Sequence, residues 1–476
     1  LIREEKRKRC VMNNNSKDIE KLTTETTEFK REIGVFGGVS IIGGIMIGSG
    51  IFYLGSYVLQ RTGMNSGLAL ICWIIGGLIT LFGGLCYAEL GTAMPKAGGR
   101  IVYLNEAYHP IVGFISGFTD WLVGGPGSVS AVAIALMSVF KSFFEISDFG
   151  IKMAAITLII TLTIYNMLGV KASAILQNLS MVAKLVPVGL VMIAALFVGK
   201  VSPDLSLGTA FEYSRTSGTN IFGMIAIAVV ATLWAYEGWT NLNTVAEEIK
   251  EPHKNLPLAL IVGIGGITVL YTLFNFAIMK VIPHEEIVSM IDSGDLYLGT
   301  EVAKRVFGHA GVIIVSAGMI LAMFGTLNGL ILAQPRMYYA MAVEGHFFKS
   351  FAKLHPKYKV PTAPMIVQCV FSCLLVLSSN LDQLTNMVVI TGMIFSVLTI
   401  LCVPILRKKY PKIERPYKVW FYPVSVVITA LIFAGLVVQG AIEDPITGLT
   451  GLIVPILGAI TYMIFDAKLK REKNEG

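Results

Sequence analysis

Three groups of residues in this 476-residue chain have the types and spacing to bind a small charged molecule. The first is Gly48-Ser49-Gly50, inside the apolar stretch IMIGSGIF at 45–52. Glycine costs about 1 kcal/mol against alanine in a helix interior, and frayed backbone in hydrocarbon leaves polar groups unsatisfied. The second is Glu237-Gly238, inside VVATLWAYEGWTNLNTVAEEIK at 229–250. An acid that deep in an apolar run is costly and is by default a functional-site hypothesis. The third is Lys184, in LQNLSMVAKLVPVGL. Backbone unwound at mid-membrane frees N–H groups that suit a carboxylate and carbonyls that suit an ammonium. One zwitterionic α-amino acid satisfies both sets, and irregular backbone is tolerated at that depth only where it lines such a cavity.

Each residue has a plainer interpretation. Gly48-Ser49-Gly50 can be a small-residue packing contact, of the kind that GGVSIIGG at 37–44 supplies. Glu237 can be a structural acid bonded to freed N–H groups. Lys184, a quarter to a third of the way into its run, can snorkel to the interface. Glu247 and Glu248, beside Lys250, suit interface ion pairs or gate contacts.

The elements that position these groups are apolar runs. The chain is 54% hydrophobic and 14% charged, with mean hydropathy +0.70. That excludes a soluble globular composition. About twelve runs reach the length a span needs: 35–61, 66–93, 111–140, 152–169, 176–199, 219–249, 256–282, 310–340, 362–379, 384–406, 418–440 and 446–466. The expected class is an all-α polytopic membrane protein. Runs one and six are both interrupted, and they correspond if the first ten runs form two halves of five. Such a pair is the best sequence pointer to a transporter binding site. The expected division is an N-terminal tail at 1–33, a first repeat at 34–200, an outer loop at 201–217, a second repeat at 218–408, two further spans at 409–466 and a C-terminal tail at 467–476.

Basic residues cluster in the N-terminal tail, after run eight (Lys349, Lys353, Lys357, Lys359), after run ten (Arg407, Lys408, Lys409, Lys412, Arg415, Lys418) and in the C-terminal tail. The opposite loops carry Asp292, Asp295, Asp382, Glu443 and Asp444. The positive-inside rule then makes both termini cytoplasmic, and the net charge of +7 reflects topology rather than nucleic-acid binding. The polar start lacks the apolar region of a signal peptide. Met12 opens MNNNSKDIEK, which leaves two readings of residues 1–11, part of the native protein or upstream sequence. Cys10, Cys72, Cys86, Cys369, Cys373 and Cys402 lie in spans or the tail and lack companion histidines. No disulfide, metal or cofactor is expected.

The motifs IIGGIMIGSGIF (41–52), YAELGTAMPKAGGRIVY (87–103), NMLGVKASAILQN (166–178), LWAYEGWTNLNTVAEEIKEPHKNLP (233–257), FGTLNGLILAQPRMYYAMAVEGH (324–346) and ERPYKV (414–419) stand in an order that identifies a family. Over nearly its whole length the chain resembles the L-type amino acid transporters of the amino acid–polyamine–organocation superfamily. Within them it is most similar to bacterial serine/threonine or alanine-serine-cysteine exchangers. The resemblance implies a LeuT-type five-plus-five inverted repeat with broken helices one and six, followed by two helices. It implies a substrate carboxylate on the backbone N–H groups of the Gly48 turn, at Ser49, Gly50 and Ile51. It implies an amino group on the carbonyls of Ile47, Trp234 and Ala235, with Glu237 beside them. Trp234 matches an aromatic cap, and Tyr271 and Asn275 match a seventh-helix pair near the substrate. For Tyr271, core packing stays open. Lys184 matches a fifth-helix lysine that takes the place of a sodium ion. Animal members carry a cysteine between spans three and four that links to a heavy chain. KSFFEISDFGIK at 141–152 has none, so no disulfide-linked partner is expected.

The favoured expectation is a sodium-independent exchanger of small neutral L-amino acids in a bacterial cell membrane, its partners being the amino acids and the bilayer. Alternatives are a proton-coupled symporter, an exchanger that also takes cationic amino acids through Glu237, and a non-transporting sensor. Lys184, Trp234 and Glu237 are the coupling or gating candidates. An enzyme is not expected, because the spans hold no cluster of His, Cys and acid groups.

Overall fold

Asn65 accepts the amide of Leu68 at 2.7 Å, and the chain runs as helix from there to Ala93. Ser147 starts another helix in the same way, accepting from Gly150 at 3.1 Å. Side-chain oxygens of this kind satisfy the orphan donors of a helix start. The computed structural model describes residues 27–52, 54–140, 144–217, 220–294, 296–343, 347–378, 381–443 and 453–467, with Thr23 and Gly345. Much of the basic N-terminal tail, the basic C-terminal tip, Cys10 and the first part of run twelve lie outside these residues.

The first half begins with α1 (Val35–Met46), a tight turn at Ser49–Phe52 and α2 (Leu54–Arg61). Next come α3 (Ser66–Ala93), the short α4 (Arg100–Ala107), and α5 (Pro110–Thr119), which passes through a widened π-turn at Asp120–Gly124 into α6 (Gly125–Val139). Then follow α7 (Asp148–Met167) and α8 (Val170–Val198). The second half has α9 (Gly208–Ser217), α10 (Ile221–Ala235), the single turn α11 (Asn241–Thr244) and α12 (Pro252–Val281). After the short α13 (His284–Asp292) and α14 (Leu298–Phe307) come α15 (His309–Ala333) and α16 (Pro335–Val343). The chain ends with α17 (Thr362–Ser378), α18 (Leu381–Lys409), α19 (Val424–Glu443) and α20 (Ile453–Ala467).

Among the described residues all regular elements are helical, apart from one isolated bridge between Ile33 and Ile249. Six helices there are long and apolar enough to cross a membrane, and four shorter ones are also apolar. The molecule is a multi-pass membrane protein. α8 shows the inverted pattern expected in lipid: Ile175, Leu179, Val186, Leu190 and Ile193 are exposed along one stripe, while Ser173, Gln177, Ser180 and Lys184 are buried. Polar side chains inside a bilayer turn to the bundle interior.

α12 packs along α3, α15 packs along α8, and α1 is held among α8, α12 and α15. Small residues allow this. A Cβ on Gly38 would lie 2.7 Å from Ala259, and one on Gly84 2.6 Å from Ile264. The 37–44 glycines are therefore packing contacts, as the sequence suggests.

Two elements depart from expectation. The second half of the loop placed at 201–217 is helix α9. The fifth span starts at Val170 rather than 176, because Gly169 (φ +121°) reverses the chain just before it. Lys184 is thus at the helix centre, too deep to snorkel.

Candidate functional site

α1 stops at Met46, and its final carbonyls face inward. The last four carbonyls of a helix have no partner within it. Here side chains from three other helices supply donors. Lys184 Nζ from α8 donates to Gly43 O at 3.1 Å, Gly44 O at 2.7 Å and Ile47 O at 2.8 Å. An ammonium has three hydrogens, and each finds one oxygen. Thr326 Oγ1 from α15 lies 3.0 Å from Gly44 O and 3.3 Å from Ile45 O. Tyr271 Oη from α12 donates to Met46 O at 2.9 Å. The negative end of the α1 dipole therefore rests on a fully buried cation.

Beyond Ile47 the chain turns through Gly48 and re-enters helical geometry at Ser49–Phe52. Ser49, Gly50 and Ile51 form the first turn of this second half-helix, where N–H groups lack intrahelical acceptors. α10 breaks in the same manner after Ala235 and resumes at Asn241. Gly238, between them, has φ +120°, a conformation L side chains avoid. A Cβ there would also lie 2.5 Å from Ile45 Cγ2, so the two breaks cross at this contact. Tyr271 Oη also lies 3.2 Å from Ala235 O and so bridges both broken helices. Asn275, one turn on, donates to Tyr271 O at 2.9 Å and sets its Oδ1 against Gly55 of α2.

Residues 33–460 match a family described as Amino acid permease. The chain belongs to the amino acid permease family. The permease is 33% identical to the serine/threonine exchanger SteT of Bacillus subtilis, over 84% of this chain and 89% of that protein. It is 30% identical to the human b(0,+)-type amino acid transporter 1, over 95% and 91%. It is 29% identical to the human cystine/glutamate transporter, over 93% and 86%. The resemblance to the L-type transporters holds. The permease is an amino acid transporter and not an enzyme.

The structure brings most of the expected residues to one place. Ile47, Gly48, Gly50, Ile51, Ala235, Glu237, Tyr271, Asn275 and Lys184 all lie at or beside the two breaks. Trp234 is in the last turn of α10; its side chain and that of Ser49 are outside the described set. Glu237 is exposed although its neighbours Tyr236 and Trp239 are buried. The carbonyls of Ile47 and Ala235 already carry protein donors. Each keeps a second lone pair.

Sequence reasoning missed several polar groups of the permease. Asn166 Nδ2 of α7 donates to Asn328 Oδ1 of α15 at 2.9 Å. Asn328 donates to Gln177 of α8 at 2.6 Å, and Gln177 donates to Ser40 O of α1 at 3.2 Å. This buried chain ties α1 to the scaffold two turns from Lys184 on α8 and one turn before Gly44 on α1. Arg100 of α4 pairs with Asp120 of the π-turn at 2.7 Å. Glu248, expected in an interface ion pair or gate contact, pairs at 2.7 Å with Arg336 of α16, the unforeseen partner, and both are fully buried. The available signal was a polar residue in an apolar run, which applied to Thr326, Asn328 and Arg336 as much as to Glu237.

Proposed function

We propose that the chain is a sodium-independent exchanger of small neutral L-amino acids, working by alternating access. The observation that carries this reading is Lys184, whose ammonium takes up the three carbonyl oxygens at the end of α1 where a metal cation would otherwise be needed. The substrate carboxylate sits on the N–H groups of Ser49, Gly50 and Ile51, next to Gly48. Its amino group sits against Ile47, Trp234 and Ala235, near Glu237. Trp234 caps the site, and Tyr271 and Asn275 close its side. The scaffold is a five-plus-five inverted repeat, 34–200 and 218–408, in about twelve spans. The outer connection is 201–217, the extra pair of spans is 409–466, and the tails at 1–33 and 467–476 are cytoplasmic in a bacterial cell membrane. A disulfide-linked heavy chain is not part of the assembly, since 141–152 holds no cysteine. The serine/threonine exchanger among the relatives supports small neutral substrates.

Proton-coupled symport is the second reading, favoured by the exposed carboxyl of Glu237 at the α10 break. Purified protein in liposomes separates the two. Uptake of labelled serine is measured without sodium, into empty or serine-loaded vesicles, with and without a pH gradient. Exchange requires uptake into loaded vesicles only. Uptake into empty vesicles driven by the pH gradient replaces exchange with symport. Absence of both removes the transport reading at this site.

A further inference from the structure

The connection between α18 and α19 is anchored on Glu89. This residue lies in the last turns of α3 and is 2% exposed. Its carboxylate accepts from Arg407 Nε and Nη2, both at 2.7 Å, and from the Val419 N–H at 2.7 Å. Arg415 Nε stands 3.6 Å away. The rest of the Arg415 guanidinium donates to Leu406 O at 2.9 Å, Tyr410 O at 3.0 Å and Ile413 O at 2.9 Å. It thereby takes up carbonyls that the end of α18 leaves open. The Arg407 guanidinium also lies 3.8 Å from the centre of the Tyr422 ring. Ile413 and Val419 are buried. The segment from 410 to 423, which includes ERPYKV, is thus a fixed platform on α3 and α18.

The platform presents charge outward, then apolar surface. Lys408, Lys412 and Lys418 are exposed, and none has an ion-pair partner among the described residues. Lys409 donates to Glu106 O at 2.7 Å, and Tyr410 Oη donates to the Glu106 carboxylate at 2.8 Å. Arg407 and Arg415 share the single carboxylate of Glu89. Six cations between 407 and 418 therefore face three carboxylates, Glu89, Glu106 and Glu414, which leaves an excess of three positive charges. Just beyond Lys418, the rings of Trp420, Phe421 and Tyr422 are exposed. The exposed stripe continues along α19 through Val424, Val427, Ile428 and Leu431, while Ser425, Val426, Thr429 and Ala430 on its other face are buried. Aromatic rings flanking a span sit at the headgroup level. Cations, rings and apolar stripe follow in the order of a phospholipid's own parts. A zwitterionic headgroup would leave the charge excess unpaired; an anionic one offsets it.

We propose that the α18–α19 connection is a binding site for an anionic phospholipid. The headgroup rests on Lys408, Lys412 and Lys418, and the acyl chains lie along Phe421 and the exposed stripe of α19. A lysine at a membrane surface favours anionic lipid by about fivefold, and three together by about a hundredfold at low salt. Screening at physiological salt lowers this to about tenfold.

The test uses the full chain in vesicles of phosphatidylcholine with phosphatidylglycerol as the minor lipid. Bromine is placed on the acyl chains of one lipid or the other. Quenching of Trp420 is read as the difference between wild type and Trp420→Phe, since the chain has five tryptophans. Phosphatidylglycerol should account for more of the quenching than its share of the lipid, by about tenfold in relative affinity. The triple variant Lys408→Gln, Lys412→Gln, Lys418→Gln should bring the two lipids to parity. Inorganic phosphate, compared with chloride at equal ionic strength, should leave the wild-type preference unchanged. Wild-type quenching in simple proportion to lipid composition overturns the proposal, whether or not the triple variant inserts. A preference that survives in the triple variant also overturns it. Displacement by inorganic phosphate would make this a site for the free anion and defeat the lipid assignment.

Discussion

Lys184 Nζ lies 2.8 Å from the carbonyl oxygen of Ile47, across 137 residues of sequence, at the point where the first apolar helix stops. The same ammonium holds Gly43 and Gly44. A lysine side chain thus sets the position of the backbone turn that follows, the turn carrying Gly48, Ser49 and Gly50. On the proposed exchanger reading, the cation is therefore part of the substrate cradle.

Lys184→Ala leaves those carbonyls without their ammonium. Unmade buried hydrogen bonds cost about 1–3 kcal/mol each. The expected result is loss of serine exchange by more than about tenfold at equal inserted protein. Initial rates per molecule in liposomes check it, and unchanged rates would make Lys184 a packing residue only.

Tyr271→Phe keeps the ring against Trp73, 5.4 Å between centroids, and removes the hydroxyl that bridges Met46 and Ala235. Packing persists, so thermal stability in detergent should fall only slightly. The half-saturation constant for substrate should rise by about fivefold to tenfold, because the two half-helices lose their shared donor. A large fall in stability with unchanged affinity would assign Tyr271 to the core.

Glu248→Gln breaks an ion pair that is 0–1% exposed, leaving Arg336 charged and buried. The strap at 32–33 also depends on this segment, since Glu32 and Ile33 N–H both donate to Glu248 O at 3.0 Å. Removing one partner of a buried pair costs about 3–5 kcal/mol. The melting temperature should drop clearly. Glu251→Gln, which breaks the exposed pair with Lys254, should leave it unchanged. Equal effects from the two variants would contradict the burial.

The pair between Glu286 of α13 and Arg305 of α14 makes a pH prediction. Arg305 holds the Glu286 carboxyl below the usual carboxylate range. A depressed value stabilises the folded state above the unfolded pKa of about 4.3 and is lost as pH falls through the folded value. The melting difference between wild type and Arg305→Gln should therefore be the same at pH 7 and pH 5.5, and shrink only below about pH 4. A difference that disappears between pH 7 and pH 5.5 would rule this pair out as its source.

Much of this architecture is legible in the chain. Apolar runs longer than a soluble core needs define the membrane class, and they do so because water is absent and each span must satisfy its own backbone. The interruptions at Gly48-Ser49-Gly50 and Glu237-Gly238 are legible because a glycine or acid there carries a local cost. Lys184 was legible as an intramembrane cation, but not its depth, since Gly169 rather than hydropathy sets where α8 begins.

What remained hidden are distances between groups far apart in sequence. Local composition gives Arg100, before the third apolar run, and Asp120, inside it, no reason to be paired. Only the packing of α4 against α11, and the π-turn in the α5–α6 span, bring them to 2.7 Å. Thr326, Asn328 and Gln177 likewise read as isolated polar residues until α15 and α8 pack together. Periodicity and hydropathy report the cost a residue carries along its own helix. Which partner offsets that cost depends on where two helices cross, and that is set by small-residue contacts such as Gly238 on Ile45, which one helix alone cannot specify.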